Sequence, residues 1–172
     1  MLNVDLNGAF IPRDQACIPI SDRGFLFGDS VYEVIPAYGG APLRLEQHLA
    51  RLDQSLAAIH MVNPLSHAEW EKVLSELTAQ LPGTDQQIYI QITRGAPDDR
   101  EHVIPEGLKP TVLATTRELK TPDPDKATRG ISAIPLDDIR WHRCDIKSTN
   151  LLANVLAYTQ AKNEGVDEAI LV

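Results

Sequence analysis

Lys147 stands in Cys144-Asp145-Ile146-Lys147-Ser148-Thr149-Asn150, just ahead of an expected helix whose N-cap is Thr149 or Asn150. A helix N-terminus favours anions, so that position, with burial between Ile146 and Leu151, would favour a free amine over an ammonium. A free lysine amine is a nucleophile for carbonyl chemistry. On composition alone, a solvated loop lysine is the more common outcome. His48, Arg51 and Ser55 form a polar stripe beside the apolar stripe of another expected helix. The Arg51 fork would suit a phosphate or carboxylate, and a surface ion pair with Glu46 or Asp53 is the alternative. Tyr89 with Arg100 and His102, on the loop after its strand, supplies a hydroxyl, a guanidinium and an imidazole. Together these would bind a carboxylate, but spacing alone does not bring them together.

Other chemistries lack their signatures. No GxGxxG follows a strand and no Walker pattern occurs. The five histidines show no HExxH or comparable spacing, so no metal is expected. His60 and His67 read as surface residues around a helix connection, and Cys144 near His142 is a weak nucleophile pair. A net charge of −8 argues against a nucleic-acid surface and favours small-molecule work. No apolar run approaches the roughly 18 residues of a membrane span. The N-terminal residues resemble no signal peptide, and two cysteines, Cys17 and Cys144, fit a reducing cytoplasm.

The elements that must position these groups follow from periodicity. Asn7-Gly8 between Val4, Leu6 and Phe10, Ile11 predicts a hairpin. Asp22 to Asp29 reads as a glycine-punctuated loop, and Ser30 to Tyr38 as a strand. Leu45, Leu49, Leu52, Leu56 and Ile59 recur on one helical face. Ser66 and Glu69 have the spacing of a capping box for a second helix, which Pro82-Gly83 terminates. Strands are expected over 88–93 and 111–115, with a polar loop from Arg94 to Pro110 between them. Residues 118–129, with two prolines and six charges, form the expected linker. A strand to Leu136, a helix from Thr149 to Glu164 and a strand from Asp167 follow. The reading is a mixed α+β or α/β protein of two domains, 1–120 and 121–172.

Several segments resemble the fold-type-IV (class IV) pyridoxal-phosphate-dependent aminotransferases, most closely their bacterial D-amino acid branch: NGAFIP, DRGFLFGDSVYEVIPAY, RLEQHLARLDQSL, IYIQITRG with the following REH, and above all DIRWHRCDIKSTNLLANVLA. The resemblance spans the whole chain. It implies that Lys147 forms a Schiff base with pyridoxal 5'-phosphate and that Arg51 binds the cofactor phosphate. By the same comparison Tyr32 lies in the substrate pocket, while Tyr89, Arg100 and His102 hold the substrate α-carboxylate. The implied reaction is transamination of D-amino acids with 2-oxo acids by a cytoplasmic homodimer. Aminodeoxychorismate lyase and branched-chain L-aminotransferase activities are the alternatives within the fold. Family members continue past Val172 with an acidic partner for the pyridine nitrogen, so the chain is expected to hold a complete N-terminal α+β domain and only the start of a mixed-sheet C-terminal domain. A non-catalytic binding or dimerisation fragment is the alternative of a different class.

Overall fold

The computed structural model describes residues 2–121 and 123–172; Pro122, within the expected linker, lies outside the described residues. The chain divides into two compact units, one of residues 1–119 with 145–149, the other of 120–144 with 150–172. The first cut falls one residue before the expected boundary. The segment that carries Lys147, however, belongs to the first unit.

The first unit is a six-stranded antiparallel sheet with two helices against one face. Its strands are β1 (Asn3–Leu6), β2 (Ala9–Pro12), β3 (Ser30–Tyr38), β4 (Ala41–Pro42), β5 (Gln86–Thr93) and β6 (Thr111–Glu118), in the order β2-β1-β6-β5-β3-β4. Alternation sorts the side chains. Val31, Ile35 and Ala37 of β3 and Ile88, Ile90 and Ile92 of β5 are fully buried, while Tyr32, Val34, Tyr89 and Gln91 take the other face. The register pairs Tyr32 with Gln91 and Val34 with Tyr89.

Over the buried face lie α2 (Leu45–Ala58) and α3 (His67–Thr78). Leu49, Leu52 and Leu56 of α2 and Trp70, Leu74 and Leu77 of α3 complete the core. The expected capping box is formed: Ser66 Oγ accepts from the Glu69 N–H, and the Glu69 carboxylate accepts from the Ser66 N–H at 2.7 Å.

The expected loop 22–29 instead contains a short helix, α1 (Arg23–Phe27), which ends on Gly28 in the left-handed conformation. Buried Asp22 caps it, accepting from the Gly24 N–H and from the hydroxyls of Thr93 and Thr111. Thr93 packs so closely that a Cβ on Gly24 would lie 2.4 Å from its methyl group.

The second unit holds α4 (Pro124–Arg129), β7 (Ala133–Leu136), α5 (Leu152–Asn163) and β8 (Glu168–Leu171), with β7 and β8 parallel. The linker is thus partly helical, since Pro124 opens α4 behind the N-cap Asp123. The helix expected from Thr149 begins at Leu152. Among the described residues, no helix is long and apolar enough to cross a membrane.

One buried acid is poorly matched. Asp5 is 1% exposed; its Oδ1 accepts from the Gly8 N–H, and its Oδ2 has no partner. Burial pushes its pKa above the usual carboxylate value; the Gly8 N–H opposes that shift and Glu76 adds to it. Its contribution is therefore best below the unfolded-state value and erodes as pH rises through the folded one. Asp5→Asn is expected to stabilise the chain by about 1 kcal/mol at pH 7, with the gain shrinking toward about pH 4. Urea denaturation at the two pH values checks this, and a loss of stability at pH 7 would refute it.

Candidate active site

Lys147 is held by a strand-like segment stitched to the start of β3. The Tyr32 N–H donates to the Lys147 carbonyl at 3.0 Å and the Thr149 N–H to the Ser30 carbonyl at 3.2 Å. Val31 and Ser148 form the antiparallel bridge between them. Because side chains alternate, Ile146 and Ser148 turn into the core, both 6% exposed, while Lys147 and Thr149 stay half-buried. The Lys147 ammonium nitrogen lies 4.2 Å from the centre of the Tyr32 ring, within range for a cation–π contact. Tyr32 in turn stacks on Tyr89, ring centres 5.8 Å apart. The Tyr89 hydroxyl donates to Gln91 Oε1 at 2.8 Å, and burial, with a smaller effect of Tyr32, pushes its pKa up. Tyr89 therefore acts here as a neutral hydrogen-bonding phenol.

All three members of the polar stripe on α2 meet this region. Ser55 Oγ accepts from the Lys147 N–H at 3.3 Å. His48 and Arg51 reach Glu33, the neighbour of Tyr32 on the buried face. Arg51 donates from Nε at 2.6 Å and from Nη2 at 2.7 Å, and His48 Nδ1–H donates at 2.8 Å, the carboxylate being the acceptor. Glu33 itself is 0% exposed. Burial alone would raise its pKa, but the hydrogen bonds and charges of Arg51 and His48 outweigh it and hold the carboxyl below its usual range. Arg51 thus pairs with Glu33, not with Glu46 or Asp53; Asp53 receives Asn63 and His67.

This pairing has a geometric consequence. Glu33 occupies the Nε–Nη2 edge of the guanidinium, and among the described residues Nη1 makes no hydrogen bond. With its side chain 49% exposed, Arg51 leaves its second edge open, a geometry that fits a phosphate or carboxylate. Ser55 lies one helical turn further on, about 6 Å along the helix face. The backbone of Lys147 and the guanidinium of Arg51 therefore meet neighbouring turns of α2.

Glu33 escaped the sequence reading. The signal was present, since it alternates in phase with buried Val31 and Ile35, which points its carboxylate at α2.

Arg100 and His102 stand elsewhere in the unit. Both gather at Phe27, the Arg100 guanidinium carbon 4.8 Å from its ring centre and the His102 ring 5.2 Å away. Among the described residues, no hydrogen bond, ion pair or ring contact joins either of them to Tyr89 or Lys147.

Comparison with known proteins gives this arrangement a family. The profile of amino-transferase class IV matches residues 30–172. The chain belongs to that family. It is 42% identical over 172 residues to a D-alanine aminotransferase from Bacillus licheniformis, covering 99% of this chain and 60% of that protein. A fold IV transaminase from Curtobacterium pusillum superposes with a TM-score of 0.79 at 25% identity, over 95% of this chain and 58% of that one. A hypothetical aminotransferase from Mycobacterium tuberculosis, solved in a PLP-bound form, superposes with a TM-score of 0.79 at 20% identity, over 99% and 61% of the two chains, and shares the fold. The chain spans about 60% of the length of the curated relatives it matches.

Glu33→Gln keeps the shape of this carboxylate and removes its charge. Because half-exposed Arg51 can rehydrate, the expected cost at pH 7 is about 1–2 kcal/mol, below the roughly 3–5 kcal/mol of a fully buried broken pair. Glu33 has a lowered folded-state pKa, so its stabilisation is full above its ordinary value near 4.5 and is lost as pH falls through the folded value. Acid titration of stability should therefore be shallower below about pH 4.5 in the variant. An unchanged acid limb would contradict this role.

Proposed function

We propose that the chain is the lysine-bearing part of a pyridoxal-phosphate-dependent aminotransferase that exchanges amino groups between D-amino acids and 2-oxo acids. Two observations carry the reading: the Lys147 nitrogen held over Tyr32, and an arginine on the packed α2 helix whose open edge is oriented by Glu33. The 42% identity to a D-alanine aminotransferase supports the substrate class.

On this reading Lys147 Nζ would hold the cofactor by its aldehyde, and Arg51 would take its phosphate on the second edge. When bound, pyridoxal phosphate supplies an electron-withdrawing ring that stabilises the carbanion left at the substrate α-carbon. Lys147 Nζ would act as the base that takes the substrate α-proton and as the acid that delivers it to the group accepting the amine, not back to the α-carbon. The Tyr32 ring confines that amine, and its stacking on Tyr89 keeps the wall of the pocket rigid. Arg100 and His102 hold the substrate carboxylate, which fixes the α-hydrogen that Lys147 meets and hence the D preference.

The same reading makes the protein a cytoplasmic homodimer. Ile18, Ile20 and Phe25, exposed close together along the sequence, supply apolar surface for a second copy, and both cysteines are free. A mass of twice 19.0 kDa for this chain in light scattering is expected.

Lys147→Ala is expected to abolish amino transfer from D-alanine to 2-oxoglutarate. Arg100→Ala should raise KM for D-alanine roughly ten- to a hundredfold while sparing cofactor binding, the worth of one charge-assisted contact. Assaying D-alanine, L-leucine and aminodeoxychorismate side by side tests the substrate class. Faster turnover of either of the latter two would replace the D-amino acid reading, and turnover of none would leave a binding module.

A further inference from the structure

Residues 95–109 run without helix or strand between β5 and β6, yet their ends nearly touch. Gly95 has a φ of +104°, and a Cβ there would lie 2.1 Å from the Lys109 carbonyl oxygen, so only glycine lets the neck close. A compact loop of this length with adjacent ends is an Ω-loop, a form often tied to function. It carries Arg100 and His102.

One side chain grips its middle. Arg23, 4% exposed, donates to three consecutive backbone carbonyls: Glu101 at 2.5 Å, His102 at 3.2 Å and Val103 at 3.4 Å. Its Nε donates to Asp29 at 2.8 Å, and its guanidinium carbon lies 4.9 Å from the centre of the Phe27 ring. Asp29 is anchored from the other side by Arg94, which donates at 2.7 and 2.9 Å and also reaches the Ile59 carbonyl at 2.6 Å. The Arg23 N–H further donates to the Gly95 carbonyl at 2.9 Å, so the same residue holds both the neck and the crown of the loop. Phe27 is then the shared platform under Arg23, Arg100 and His102.

We propose that Arg23 is the positioning residue of the carboxylate-binding loop: its buried guanidinium fixes the backbone at 101–103 and so sets where Arg100 and His102 present their side chains. The proposal rests on the reading of Arg100 and His102 as the pair that holds substrate carboxylate. Arg23 touches no reacting atom. Its effect falls on substrate affinity, because three carbonyls aimed at one planar donor define a single loop conformation, and an ammonium cannot match that fork.

The test is a double-mutant cycle of Arg23→Lys and Arg100→Ala in the holoenzyme, reading KM for D-alanine, kcat and cofactor retention. Arg23→Lys keeps the charge beside Asp29 and loses the fork. It is expected to raise KM roughly tenfold with kcat and cofactor retention unchanged, and to add little once Arg100 is already alanine. It should also open residues 95–109 to limited proteolysis. If Arg23→Lys does not fold, Asp29→Asn, which loosens the same anchor, takes its place in the cycle. An unchanged KM in the anchor variant, effects that add fully, or a parallel fall of kcat and cofactor retention would overturn the proposal while leaving the assignment of Arg100 intact. An unchanged KM in Arg100→Ala alone would instead remove the reading on which it rests.

Discussion

The antiparallel pairing of residues 145–149 with the start of β3 is the constraint on which the site depends. It joins parts of the chain more than a hundred residues apart through two backbone hydrogen bonds and one bridge. Strand alternation then leaves no freedom: with Ile146 and Ser148 in the core, Lys147 must share a face with Tyr32. A slip of one residue would bury the lysine and expose the isoleucine, so the core itself selects the register that presents the amine.

A second constraint acts through the opposite face of β3. Glu33 places a carboxylate among leucines and isoleucines, where an unpaired charge would cost on the order of several kcal/mol. His48 and Arg51 offset that cost, and in doing so Arg51 gives up one edge and has the other fixed in direction. The α2 helix therefore has two roles at once. Its leucines close the core, and its polar stripe meets Glu33 and the backbone of Lys147.

What could be read from the sequence was what is locally encoded. The leucine stripe of α2, the Ser66–Glu69 capping box and the alternation of β5 depend on neighbours within a turn or a pleat, and each formed as its pattern required. The departures have long-range causes. Residues 149–151 look like a helix start but Thr149 is drawn into pairing with Ser30, so α5 begins only at Leu152. The glycines of 22–28 read as loop, yet Asp22 finds two threonine hydroxyls on distant strands and caps a helical turn. Prolines in 118–129 read as breakers, although Pro124 stands where a helix accepts one. Lys147 and Arg51 were visible as candidates because of their residue types. Glu33 was legible only as an inward-facing residue through its alternation with Val31 and Ile35, and the pairings of Glu33 and Arg23 appear only through partners that the fold brings in.

Covalent trapping bears most directly on Lys147 as the cofactor lysine. The protein is equilibrated with pyridoxal phosphate, reduced with borohydride, digested and mapped by mass spectrometry. A pyridoxyl adduct on the peptide containing Lys147, absent after Lys147→Ala, is the expected result. An adduct confined to Lys72, Lys109, Lys120, Lys126 or Lys162, with Lys147 unmodified, would contradict it.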